Sequence, residues 1–271
     1  MTLPDAPRLL PGKVVGSVVS ADRPTPRTAR LVVHLPGYAG TEPLVWTDEH
    51  VTLSDLSDDE RTVVTRRCAV RRWDQDALEM TLEIHLHDGP GAELPRWARS
   101  YGVGSWVTVL GRHGELRPDP ARNVLLLAGD EAGLPTILRT LEELPEGVAA
   151  RAFVEVADAA ERRAADLPAG AGLTWVLRGA AYGEALLAAV RAARLPDGSV
   201  QACLRGEAAL VRSLRRLAVD VHGVAPADVS AVPLWWRGEA SGGRWKAVRE
   251  QWDAEVAADD GAARDGAAGR S

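Results

Sequence analysis

The sequence predicts a β + α/β chain, an N-terminal antiparallel β-barrel followed by a parallel-sheet α/β domain. Three observations predict it. Between residues 13 and 110, short β-branched runs recur with Gly, Pro and Asp between them, the pattern of a small closed antiparallel sheet. At Arg117-Pro118-Asp119-Pro120 that pattern stops. Beyond it, apolar strand-like runs alternate with stretches of helical period, as in a parallel sheet with right-handed crossovers.

The first half contributes runs at 13–19, 29–35, 50–53, 63–73, 78–86 and 105–110, the last closing ahead of Gly111. Asp74-Gln75-Asp76-Ala77 sits between the two longest and reads as a hairpin turn. In the second half, 123–128 is continuously apolar, as a strand buried on both faces requires. It runs through Gly129-Asp130-Glu131 into a helix ending near Leu144, with Asp130 placed to cap that helix and Pro135 in its first turn. Strands at 150–156, 173–177 and 200–204 alternate with helices at 183–193 and 207–221, and 232–236 is a last short strand. Trp245, Val248 and Trp252 share one face of a helix over 244–256, and the Ala, Gly, Asp and Arg of 259–271 predict disorder. The expected organisation is a barrel over 1–118, an α/β domain over 119–238, and a C-terminal helix and tail over 239–271.

The formal net charge of -6 argues against non-specific nucleic-acid binding, which requires a basic face. No apolar run approaches the roughly 20 residues of a membrane span, and the start lacks a basic stretch followed by a long apolar one. A cytoplasmic chain without membrane insertion is expected. Cys68 and Cys203 are expected as free thiols, since a chain of this size needs no staple.

Several strings, in order, carry a resemblance. They are Asp48-Glu49-His50-Val51-Thr52-Leu53; Arg66-Arg67-Cys68-Ala69-Val70-Arg71-Arg72-Trp73; His87-Asp88-Gly89-Pro90-Gly91-Ala92 with Arg96-Trp97-Ala98; Ala128-Gly129-Asp130-Glu131-Ala132-Gly133-Leu134-Pro135; Gly206-Glu207; and Trp235-Trp236-Arg237-Gly238. Together they resemble the siderophore-interacting proteins, a ferredoxin-reductase-like family. The resemblance implies a flavin-reductase-type barrel carrying FAD and a nucleotide-binding-type domain that receives NAD(P)H. It implies electron transfer through the flavin to a ferric siderophore. The implied cofactor-site residues are Arg66, Cys68, Ala69, Arg71, His87, Gly91, Ala92, Gly129, Asp130, Glu131 and Trp236; no catalytic residue and no metal ligand is assigned.

The flavin pattern is altered. Where the family has Tyr and Thr after its first arginine, this chain has Cys68, which cannot stack on a ring, and Ala69, which has no donor. Glu93 follows Gly91-Ala92, and a carboxylate beside a pyrophosphate is repulsive. Arg66 keeps a guanidinium suited to bidentate phosphate binding. A flavin-less descendant that binds a small anionic metabolite, or catalyses a non-redox tailoring step in secondary metabolism, is the alternative reading. The cluster of Arg66, Arg67, Arg71 and Arg72 on an acidic chain suits either anionic ligand. Asp158 suits a ribose hydroxyl whereas Arg162 and Arg163 suit a 2′-phosphate, which leaves NADH and NADPH both open. His85 and His87 share a strand face and, with Cys68 or His50, are of ligand type for a metal; the spacing matches no recognised pattern, and a polar barrel face is preferred.

Overall fold

The computed structural model describes residues 13–41, 46–54, 65–88, 92–238 and 249–259. Gly91, Trp245 and the tail beyond 259 lie outside the described residues.

Strands β1 (Lys13–Thr25), β2 (Thr28–His34), β3 (His50–Ser54), β4 (Arg66–Asp74), β5 (Glu79–His85) and β6 (Trp106–His113) close into a barrel in the order β1-β2-β5-β4-β3-β6. Every neighbouring pair is antiparallel. The alternation seen in the sequence is what fills it: Leu31 and Val33, Val51 and Leu53, Cys68 and Val70, Met80 and Leu82, and Val107 and Val109 all point inward and are buried. Helix α1 (Glu93–Ser100) adds Trp97 and Ala98 to the same core. The β4–β5 hairpin turns where expected, because the Asp74 carboxylate accepts from the backbone N–H groups of Asp76 and Ala77 at 3.1 and 2.9 Å.

The second half is a parallel sheet of β7 (Val124–Gly129), β8 (Ala149–Val156), β9 (Ala171–Leu177), β10 (Val200–Glu207) and β11 (Val229–Trp235), ordered β11-β10-β7-β8-β9. All six residues of β7 are buried, as its unbroken apolar run requires. Leu125 and Leu127 pack with Ile137, Leu138 and Leu141 of α2 (Leu134–Glu142). Leu126 and Ala128 pack with α3 (Glu184–Ala192) and α4 (Ala208–Asp220) on the opposite face. A further helix, α5 (249–259), lays Trp252 on α4, its indole N–H donating to the Ala208 carbonyl at 3.1 Å. The chain leaves β7 toward β8 on one side and returns to β10 on the other. The crevice above the ends of β7 and β10 is therefore the switch point of the sheet, where open α/β folds place their ligands.

One local expectation is corrected. Gly133, not Asp130, is the N-cap of α2. Four residues, Asp130 to Gly133, separate β7 from the helix, and Asp130 uses one carboxylate oxygen on the Ala132 N–H within that turn. Pro135 does sit in the first turn, where its missing N–H costs nothing.

The two halves meet through polar contacts. Glu161 accepts from the Thr25 hydroxyl at 2.6 Å and the Arg27 N–H at 3.0 Å. Arg163 forks onto Glu83 of β5. Arg205, 2% exposed, donates to Asp48 and to the Ser230 carbonyl and hydroxyl. Arg139 donates to the Val70 carbonyl, and Thr140 to Thr47.

Candidate functional site

The residues picked from the sequence fall into two groups, one on the barrel and one at the sheet's switch point. On β4, Cys68 and Val70 point into the core, Arg67 is exposed, and Arg66 and Ala69 are half-buried. Cys68 is sealed in the core, its thiol against the Ala69 carbonyl, and burial pushes it up to about 12. That removes it as a nucleophile at neutral pH. A tyrosine at this position would have to displace packed core, the overfilling that cores tolerate poorly. Arg71 sits in ion pairs at the boundary of the two halves, 2.5 Å from Glu142 and 3.7 Å from Glu83.

Arg66 lies at the head of β4 against the first turn of α1. Its Nη2 is 2.9 Å from the Glu93 carboxylate and its Nη1 donates to the Thr65 carbonyl at 2.7 Å. Glu93 is the first residue of α1; the N-cap, Ala92, has no side chain able to satisfy the helix N–H groups. Burial raises the Glu93 carboxyl, but its own backbone N–H and Arg66 outweigh that and hold it below the ordinary range. The pair is loosely made. Arg66 Nε and Glu93 Oε2 are both buried with no hydrogen-bond partner of good geometry, although their charges are adjacent.

His87 follows β5 with its ring stacked on that of His85, centroids 6.2 Å apart. Arg99 pairs with Asp88 next to it. His85 Nδ1 is buried without a partner, and burial, then His87, Arg27 and Arg178, lower the imidazole to about 4. Above pH 6.5 the ring is neutral in both folded and unfolded chains. As pH falls from 6.5 toward 4, the unfolded chain takes up a proton that the folded one refuses, and stability drops by up to about 3 kcal/mol. His85→Phe is expected to lose less stability than wild type between pH 7.5 and 4.5 in urea titrations; the same loss in both proteins would show that His85 is solvated. Among the described residues no three His, Cys, Asp or Glu side chains gather as metal ligands.

At the switch point, Asp130 is 1% exposed and its carboxylate accepts four donors. These are the Ala132 and Glu207 N–H groups at 2.9 and 2.8 Å, the Tyr182 hydroxyl at 2.5 Å, and the Trp235 indole at 2.9 Å. Gly129 and Gly206 are required by close approach: a Cβ on the first would strike the Arg205 carbonyl, and one on the second would strike Asp130. Glu131 accepts from the Ala157 N–H at 2.7 Å and from Arg178 at 2.5 Å, and Arg178 also donates to the fully buried Glu155. Burial raises the Glu131 carboxyl and Arg178 opposes it. The guanidinium groups of Arg178 and Arg237 lie 4.7 and 4.1 Å from the centre of the Tyr182 ring.

Sequence reasoning did not single out Arg178, Tyr182 or Glu155. Their position at the carboxyl ends of β8 and β9 was the available signal. Trp235, not Trp236, reaches Asp130; Trp236 packs beside the α3–α4 cluster. Asp158 caps a short 3-10 turn by accepting from the Ala160 N–H, and Arg163 is committed to Glu83.

Comparison with known proteins agrees with the fold. The family model described as siderophore-interacting protein matches residues 122–238, and the siderophore-interacting FAD-binding domain matches 54–116. The crystal structure of a siderophore utilization protein from T. fusca superposes with a TM-score of 0.71 at 30% identity, over 85% of this chain and 95% of that one. The chain belongs to the siderophore-interacting protein family. An uncharacterized protein of Mycobacterium tuberculosis is 28% identical over 89% of this chain and 94% of its own length. Ferric vibriobactin reductase ViuB of Vibrio cholerae is 27% identical over 66% of this chain and 67% of its own.

As a siderophore-interacting protein, the chain carries a FAD-binding domain, and its residues can be tested against that cofactor. The anionic end of FAD has a matching pair of groups in Arg66 and the N-terminus of α1, and Arg66 Nε is a buried donor awaiting an acceptor. The ring end is barer, since Ala69 offers no hydroxyl and Cys68 points into the core. No helix among the described residues is long and apolar enough to cross a membrane.

Proposed function

We propose that this chain is a ferric-siderophore reductase that draws electrons from NAD(P)H through FAD. The observation that carries the reading is the pairing of Arg66 with the first residue of α1 on a closed barrel, in a chain whose parallel sheet has its switch point above β7 and β10. Bound FAD supplies the conversion of a two-electron hydride into the single electrons that ferric iron accepts. The chain's residues position and bias. Arg66 and the first turn of α1 hold the anionic end of the cofactor. Ala69 leaves the outer face of β4 open to a flat ring. Arg178, Arg237 and Tyr182 present a cationic, aromatic edge at the carboxyl ends of the strands, suited to an anionic donor or an anionic iron chelate. The ferric vibriobactin reductase among the relatives supports a siderophore as the acceptor. Organisation into residues 1–118 and 119–238 is proposed on the same grounds.

The test is a coupled assay with NADH or NADPH, FAD and a ferric tris-catecholate, with ferrous iron trapped by a coloured chelator. The expected result is trapped iron accumulating faster with the protein than with FAD alone. A rate equal to that of free FAD with both nucleotides would sink the reading.

A further inference from the structure

We infer that Glu93 is a tethered stand-in for the flavin's phosphate, which competes for Arg66 and makes FAD a loosely held, exchanging co-substrate of this chain instead of a resident cofactor. The inference rests on the flavin reading above and deepens it. Two groups can hold the anionic end of a flavin here, the guanidinium at the head of β4 and the first turn of α1. One carboxylate lies against both. Glu93 is the first residue of that helix and its carboxylate lies 2.9 Å from Arg66.

The contact has the marks of a substitute. A guanidinium and a carboxylate that suit each other meet as a two-pronged fork. Arg163 and Glu83 do so in this chain, and Arg66 and Glu93 do not. Arg66 touches Glu93 through one nitrogen, its Nε is left buried and unfilled, and the facing Oε2 lacks a well-directed hydrogen bond. A phosphate offers more acceptor oxygens around one centre and can fill what the carboxylate leaves open. Binding FAD is then an exchange of one anion for another at Arg66. The displaced Glu93, still tethered to the helix, remains beside the phosphate and repels it. Affinity is lowered by both effects. A serine at this position would keep the helix start and remove the competitor.

The test is calorimetric titration of the full chain with FAD and with riboflavin, which has the ring and no phosphate. Wild type, Glu93→Ser, Glu93→Gln and Glu93→Ser/Arg66→Ala are compared, with thermal melts confirming that each is folded. The Gln variant retains the shape of the side chain if serine disturbs the helix. Removing the charge is expected to tighten FAD about tenfold, to leave riboflavin affinity within about twofold, and to be reversed when Arg66 is also removed. FAD bound equally by wild type and both Glu93 variants would overturn the inference and leave the flavin reading intact. FAD and riboflavin tightened alike would also overturn it, because the effect would then belong to the ring. Failure of every variant to bind FAD would overturn the inference and the flavin reading together.

Discussion

Asp130→Ala is expected to cost about 3–5 kcal/mol of folding stability, the range for leaving buried charged or polar partners uncompensated. The reason lies in how far its partners are spread. One carboxylate, 1% exposed, collects donors from the turn after β7, the segment before α3, the end of β10 and the end of β11. Alanine would leave the Tyr182 hydroxyl, the Trp235 indole and the Glu207 N–H facing a cavity, each carrying a desolvation penalty of about 1–3 kcal/mol unless water enters. Asp130→Asn keeps the shape but turns one acceptor into a donor, so a smaller loss of about 1–3 kcal/mol is expected. Urea unfolding of the two variants beside wild type measures both. An alanine variant within 0.5 kcal/mol of wild type would mean that the four contacts are not made in solution. The same network fixes the switch point, so under the proposed function the alanine variant is also expected to bind NAD(P)H more weakly at temperatures where it remains folded.

What could be read from the sequence divides by the distance over which the signal acts. The run of β7 announced its own burial, because a strand covered on both faces needs apolar side chains at every position. The β4–β5 hairpin was legible because the Asp74 side chain organises residues only two and three positions away. Periodicity likewise marked the barrel strands, since an inward-facing row must be apolar wherever the barrel is closed. Asp130 shows where such reasoning stops. A carboxylate just after a strand reads locally as a helix cap, but its other partners stand 52, 77 and 105 residues along the chain and have no periodic signature. The turn before α2 is the consequence, with the cap passing to Gly133. Arg66 and Glu93 were each noticed, the first as a phosphate ligand and the second as an obstacle to phosphate. Their contact was not legible, because it depends on α1 folding back onto the head of β4. Ion pairs that join the two halves are the extreme case. Nothing in β5 alone says that Glu83 is covered by an arginine 80 positions later.

Glu83→Ala is the other change expected to cost about 3–5 kcal/mol. Glu83 is buried on β5, takes both Nη groups of Arg163 from the sheet half, and has Arg71 Nε at 3.7 Å. Truncation strands two arginines of low exposure, and the one on β4 retains, among the described residues, its ion pair with Glu142. The loss falls on the boundary between the barrel and the sheet, so it is expected to change cooperativity as well as the midpoint. A wild-type melt in one transition should broaden or split into two once the halves unfold separately. Arg163→Ala should do less harm than Glu83→Ala, because Arg71 still neutralises the carboxylate left behind. The double variant should be more stable than the sum of the two losses predicts, since the second truncation removes a charge the first has already orphaned. A coupling below about 0.5 kcal/mol would mean that the fork is a solvated surface pair. Replacing both partners by methionine separates the two roles of the fork. If apolar packing restores the midpoint and the single transition, the ion pair serves to select one docking of the halves and not to strengthen it. If the midpoint returns but the melt remains split, the directional contacts themselves hold the barrel against the switch point.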